Sequence, residues 1–141
     1  MKNIYEVFDE FEMAESKKER MDVIGRNLSK CLVEVLELTF HPNYEFLVKD
    51  LPMGYQIASD HLPGLTRAQL STEIRKLYLF KKGDPTAEKL DKRKQDELLV
   101  RLLDSLEPRE AEVVMGIFRK DQGVRGLDYK FVKEAFPQML P

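Results

Sequence analysis

The sequence predicts a single all-α domain of about seven helices, and three observations carry that expectation. Apolar residues recur at helical spacing along almost the whole chain, two Ser/Thr-x-x-Glu/Gln capping boxes mark helix starts, and no linker-like or repetitive tract divides the 141 residues. A chain of this length buries about two thirds of the surface its unfolded form exposes, so residues 1–141 read as one domain.

The first helix is marked by Ile4, Val7, Phe8 and Phe11, at i, i+3, i+4 and i+7. Ser16 and Glu19 form a capping box that opens a second helix toward Gly25. A third begins at Asn27 or Ser29. Its sequence, KCLVEVLELTF, is apolar on nearly all sides, which predicts the buried central helix. Pro42 ends it, because proline disfavours helix in the residue before it.

Tyr44, Phe46 and Val48 then alternate, a pattern that suits an extended segment or one helical turn. Residues 53–65, MGYQIASDHLPGL, form the main irregular loop. Thr66 and Gln69 make a second capping box, opening a helix that runs to about Phe80 and is broken by KKGDPT.

A long helix from Glu88 or Asp91 to Leu106 would bury Leu98, Leu99, Leu102, Leu103 and Leu106. Pro108 suits the first turn of the next helix, where its missing N–H costs nothing. That helix extends to about Lys120 over Ala111, Val114, Ile117 and Phe118. Asp128 caps the last helix, YKFVKEAF, which Pro137 stops.

A hydrophobic fraction of 43 % with eight Phe and five Tyr is enough for a packed core. No apolar run approaches the ~20 residues of a membrane span. The first residues, MKNIYEVFDEFEMAE, lack a signal-peptide core, so the expectation is a cytoplasmic protein without a membrane partner. Cys31 lies in an apolar run and suits a small buried hydrophobe. His41 and His61 stand beside prolines and, with one cysteine, offer no metal-ligand spacing.

Phosphate-binding, dinucleotide, nucleophile-elbow and zinc-protease signatures are missing from the sequence. The acidic pairs Asp9/Glu10 and Asp96/Glu97 are consecutive residues, which point to different sides of a helix. The expectation is therefore a protein with no catalytic residues, no cofactor and no metal.

Net charge is −2, unevenly spread. Residues 1–64 hold seven Lys/Arg against twelve Asp/Glu, whereas residues 65–94 hold nine against four. Two basic surfaces are candidates. One is the connection in RKDQGVRGLDYKFVKEAFP, residues 119–137, which combines basic side chains with two glycines ahead of a capping aspartate. The other comprises Arg67, Arg75, Lys76, Lys81, Lys82, Lys92, Arg93 and Lys94. Each suits a phosphate backbone, and each equally suits solvated helix faces joined by turns.

The stretch from DELLVRLLDSL through Pro141 resembles the end of the helical N-terminal DNA-binding domain of ATP-dependent DNA ligases, especially those of T-even-like phages. The matching residues are Lys120, Asp121, Gly126, Phe136 and Pro137. Upstream, ELTFHPNYEFLVKDLP is similar to a helix-end segment of that domain. The whole chain also looks like a family of small uncharacterised proteins of T-even-like phages, particularly those infecting cyanobacteria, which share the MKNIYE start and the ending carried here by GLDYKFVKEAFPQMLP.

The ligase resemblance implies a scaffold that touches duplex or nicked DNA through Arg119, Lys120, Gln122, Gly123, Arg125, Gly126 and Lys130, without sequence preference. The Lys-x-Asp-Gly nucleophile motif of ligases is missing, so the implied role is non-catalytic. The alternative is a protein-interaction module that has lost DNA binding and docks a host or phage protein. Leu51, Met53, Tyr55, Ile57 and Leu62 would then be its anchors, since exposed apolar residues mark partner surfaces.

Overall fold

The computed structural model describes residues 2–57 and 68–141. The fold is all-α. Its helices are α1 (Ile4–Met13), α2 (Lys17–Arg26), α3 (Lys30–Phe40), α4 (Leu70–Glu73), α5 (Pro85–Lys89), α6 (Lys92–Ser105), α7 (Pro108–Arg119) and α8 (Tyr129–Ala135). A 3₁₀ segment, Ile74–Phe80, continues α4. None of the described helices is long and apolar enough to cross a membrane.

Most helix starts follow from the sequence. Ser16 accepts from the Glu19 N–H, Ser29 from Leu32, Asp91 from Lys94 and Asp128 from Phe131. The α1 stripe of Ile4, Val7, Phe8 and Phe11 is buried throughout. In α6, Leu99, Leu102 and Leu103 are buried, while Leu98 is only partly so.

The central helix is α7 rather than α3. Ala111 and the run from Val113 to Phe118 are all buried, and α1, α3 and α6 pack around it. In α3 the buried side is Leu32, Val35, Leu36 and Thr39. Its glutamates, Glu34 and Glu37, turn one side toward solvent. Counting apolar residues overstated its burial because those two carboxylates lie on the same face, three residues apart.

Where one helix to Phe80 is predicted, one α-turn passes into 3₁₀ geometry. Ile74, Leu77 and Phe80 are buried and spaced by three, and a repeat of three residues per turn stacks them on one side. Lys81 to Lys82 then lie antiparallel to residues 45–47. The Leu47 N–H donates to Phe80 O at 2.8 Å, and the Lys82 N–H to Glu45 O at 2.8 Å. Tyr44, Phe46 and Val48 therefore belong to an extended segment.

The GDPT stretch does more than break a helix. Asp84 accepts from the Thr86 and Ala87 N–H groups with Pro85 in the first turn, and so opens α5. At the centre of the core, Phe118 meets Phe46 at 5.0 Å and Phe80 at 5.3 Å between ring centroids.

Of the loop anchors, Leu51, Tyr55 and Ile57 pack against the core. The Tyr55 hydroxyl also donates to Asp104 at 2.6 Å. Among the described anchors only Met53 stands out into solvent. Leu51, Tyr55 and Ile57 are thus a folded-in strap and not exposed anchors. Leu62, His61, Arg67 and the Thr66 capping residue lie outside the described residues.

Candidate functional site

The 119–130 connection begins where α7 stops. Lys120 adopts the left-handed conformation with φ +61° and serves as the helix cap, so Gly123 is not what ends the helix. The Lys120 N–H donates to Ile117 O at 3.1 Å and the Asp121 N–H to Gly116 O at 3.0 Å. That wraps the helix end in a Schellman pattern.

A left-handed lysine costs about 1–2 kcal/mol, and its ammonium supplies the compensation. Nζ donates to Leu38 O at 2.9 Å, His41 O at 2.8 Å and Tyr44 O at 2.6 Å. The helical partner of the Leu38 carbonyl would be the N–H of residue 42, which is proline and has none. Lys120 fills that vacancy and places a positive charge at the C-terminal end of α3, whose own last turn carries no basic residue. Burial pushes this lysine down to about 8, with Glu45 opposing. Its three carbonyl acceptors also favour the charged form, so at neutral pH it is an ammonium turned into the protein.

Gln122 is likewise structural. Its Nε2 donates to Thr39 Oγ1 and to Val113 O, both at 3.1 Å. Thr39, fully buried, donates in turn to Val35 O at 2.7 Å. The amide lies across Gly116 so closely that a Cβ there would sit 2.4 Å from Gln122 Oε1. Gly116 thus opens the surface of the central helix for this side chain, joining α3, α7 and the connection in one satisfied polar network.

The other predicted contact residues are not brought together. Arg119 Nε donates to Lys49 O at 2.9 Å, toward the extended segment. The Arg125 N–H lies 3.4 Å from Glu12 Oε1, toward α1. Gly126, at φ +84°, is covered by Arg20, whose Cζ would stand 3.0 Å from a Cβ. Gly123, also at positive φ, has its N–H taken by Asp121 Oδ1 at 2.8 Å. Lys130 is exposed on the first turn of α8, whose start is already capped by the Asp128 carboxylate.

The second basic surface is laced with carboxylates. Lys76 pairs with Glu73 at 2.7 Å, Lys82 with Glu45 at 3.5 Å and Lys92 with Asp96 at 2.9 Å. Arg93 and Lys94 share Glu97, at 3.4 and 3.8 Å. Lys81 lies over the Tyr44 ring, 5.0 Å from its centroid. Arg75 has no carboxylate within 4.0 Å among the described residues.

Sequence reasoning missed a cleft of about 350 Å³ between α3 and the 3₁₀ segment. Glu34, Glu37 and Leu38 form one wall, at i, i+3 and i+4 of α3. Arg75, Tyr78 and Lys81 form the other, at the three-residue spacing of a 3₁₀ ridge. Phe46, Ile74 and Leu77 supply apolar lining. Tyr44 closes one end, its hydroxyl 3.3 Å from Glu37 Oε1, and burial raises its pKa. The spacing of 75, 78 and 81 beside buried 74, 77 and 80 is the signal that could have found it.

Another opening, of about 270 Å³, is lined by residues that include Ser29, Cys31, Gln69, Ser71 and Glu110. Burial raises the Cys31 thiol to about 11, leaving a poor nucleophile. Glu110 is buried, and its carboxylate accepts the Leu70 N–H at 3.2 Å, clamping α4 to α7. Among the described residues, no three His, Cys, Asp or Glu side chains form a group that could hold a metal ion.

No curated protein matches the chain. A family model does match, over residues 7–124, from within α1 through the Lys120 cap and the Gln122 network. With that much of the fold covered, the chain belongs to DUF6433, a family of unknown function.

Proposed function

We propose that this chain is a non-catalytic interaction module of phage origin that works in the host cytoplasm by docking a host or phage protein. The observation that carries the reading is the disposition of positive charge. Lys120 is turned onto three carbonyls, and Lys76, Lys82, Lys92, Arg93 and Lys94 each have a carboxylate within 4.0 Å.

Helix starts point the same way. Asp84, Asp91, Glu107 and Asp128 cap α5, α6, α7 and α8. A phosphate approaching those ends meets a carboxylate instead of open N–H groups. The α3 cleft, by contrast, offers apolar lining between polar walls, the usual make-up of a recognition site. Phage origin is supported by the likeness of the MKNIYE start and the GLDYKFVKEAFPQMLP ending to small phage proteins.

The second reading is modest, sequence-independent binding of duplex or nicked DNA. One observation favours it: the charged groups of exposed Arg119, Arg125 and Lys130 have no carboxylate within 4.0 Å among the described residues. Fluorescence anisotropy with labelled nicked and intact duplexes separates the two readings. The interaction module gives no saturable signal at ~10 µM protein and ~50 mM salt, where non-specific DNA binders are already engaged. Binding that collapses by ~200 mM salt and in an Arg125→Glu, Lys130→Glu variant would instead establish the DNA reading. Lys120 is left intact because its replacement would disturb the fold.

A further inference from the structure

We infer that the α3 cleft takes an apolar side chain of a partner polypeptide flanked by one basic and one acidic residue. This deepens the interaction reading and rests on it. The volume, about 350 Å³, lies at the small end of the ~300–1,000 Å³ range of ligand pockets. That suits one anchor side chain with its neighbours, and a few buried anchors carry most of the energy of protein interfaces.

Charge complementarity defines the neighbours. On the α3 wall, Glu34 has only a 3.9 Å contact with Lys30, whose side chain is almost fully exposed. Glu37 has the Tyr44 hydroxyl at 3.3 Å as its partner. This wall therefore retains negative charge for a partner's lysine or arginine.

On the opposite ridge, Arg75 has no carboxylate within 4.0 Å among the described residues, and Lys81 stacks on Tyr44. Asp84 lines the same side, but its carboxylate accepts two N–H groups at the start of α5. The ridge is left net positive for a partner's aspartate or glutamate. On the same ridge, half-exposed Tyr78 supplies the aromatic contact that protein interfaces favour. A phosphate or a uniformly basic segment would be opposed by one wall or the other.

The test is an amide NMR titration with capped pentapeptides. A central leucine is flanked by arginine and glutamate in either order, by two glutamines, or by two arginines. A fifth peptide keeps the mixed charges around a central alanine. Expected are saturating shifts at residues 34–38 and 74–81 with one mixed-charge leucine peptide, weakened about fivefold by the glutamine flanks or by Arg75→Glu, the reach of one or two exposed ion pairs. Glu34→Lys should weaken it similarly, and the alanine peptide should lose most of the signal.

Equal binding of all leucine peptides, or tighter binding of the two-arginine peptide, would overturn the charge pattern. Shifts confined to another surface would overturn the cleft while leaving an interaction module standing. No shifts with any peptide would overturn the proposal, and the anisotropy measurement would still judge the underlying reading.

Discussion

Lys120 follows α7, which carries Phe118, Lys82 follows the 3₁₀ segment, whose Phe80 packs on Phe118, and both lysines contact the extended 44–48 stretch. Their environments differ sharply. Lys120 reaches inward to three backbone carbonyls at 2.6–2.9 Å. Lys82 meets Glu45 at 3.5 Å, with both side chains well over half exposed. Charge-assisted bonds to carbonyls turned away from water, of which only His41 O has another donor, the Tyr44 N–H, are worth far more than an exposed ion pair in water. Basic residues in sequence thus say little about a basic surface until the carbonyls and carboxylates around them are placed.

The largest expected effect comes from breaking the inward lysine. Lys120→Met keeps the stem but removes all three donors, leaving Leu38 O and Tyr44 O unpaired, and should cost about 3 kcal/mol in urea unfolding, since each acceptor left unpaired away from water costs ~1–3 kcal/mol. A loss below ~1 kcal/mol would mean that water replaces the ammonium without penalty. Gly116→Ala comes next. Helix propensity alone would make alanine better by about 1 kcal/mol, but the new Cβ would collide with Gln122. The amide must swing away and give up its Thr39 and Val113 bonds, worth about 0.5–1.5 kcal/mol each, so a small net destabilisation is expected. A stabilised variant would refute the close fit.

Glu110 sharpens the comparison through pH. Desolvation raises its folded-state pKa, against the Leu70 N–H that lowers it. An acid raised on folding binds more protons in the native state across that window, so its charge erodes stability as pH climbs above the ordinary glutamate value. Glu110→Gln keeps an acceptor for Leu70 and should give a small gain at pH 7 that vanishes near pH 4. A constant offset at both values would show that charge is not the cause. The smallest effect belongs to the outward lysines: Lys92→Ala, which removes the pair with Asp96, should change stability by less than ~0.5 kcal/mol.

Much of this fold could be read from local pattern. The stripe of α1, the leucines of α6 and the Asp128 cap depend on residues a few positions apart, and the structure has them as the pattern predicts. The 3₁₀ segment was also written locally, in the three-residue spacing of Ile74, Leu77 and Phe80, but an α-helical template conceals it. The roles of Lys120 and Gln122 were not legible, because all of their partners but Val113 lie 76–83 positions away.

Even so, two indirect traces existed. Pro42 leaves the Leu38 carbonyl without its helical donor, and Gly116 interrupts an otherwise strong helix, which usually signals close packing. The candidate cleft was hidden for a similar reason. Each wall is periodic by itself, but only the tertiary fold sets the glutamates of α3 against the arginine and tyrosine of residues 75–78.

The Lys120 clamp also bears on the order in which the molecule assembles. During synthesis α3 emerges some eighty residues before the side chain that completes its last turn. Contacts that far apart in sequence form late, because loop closure must come first. In a folding intermediate holding α1 to α3, the end of α3 would therefore fray, and amides from Phe40 to Tyr44 would exchange until residue 120 arrived. Docking of Lys120 is then a natural final step, converting a collapsed helical chain into one with a fixed 44–48 segment and a formed cleft.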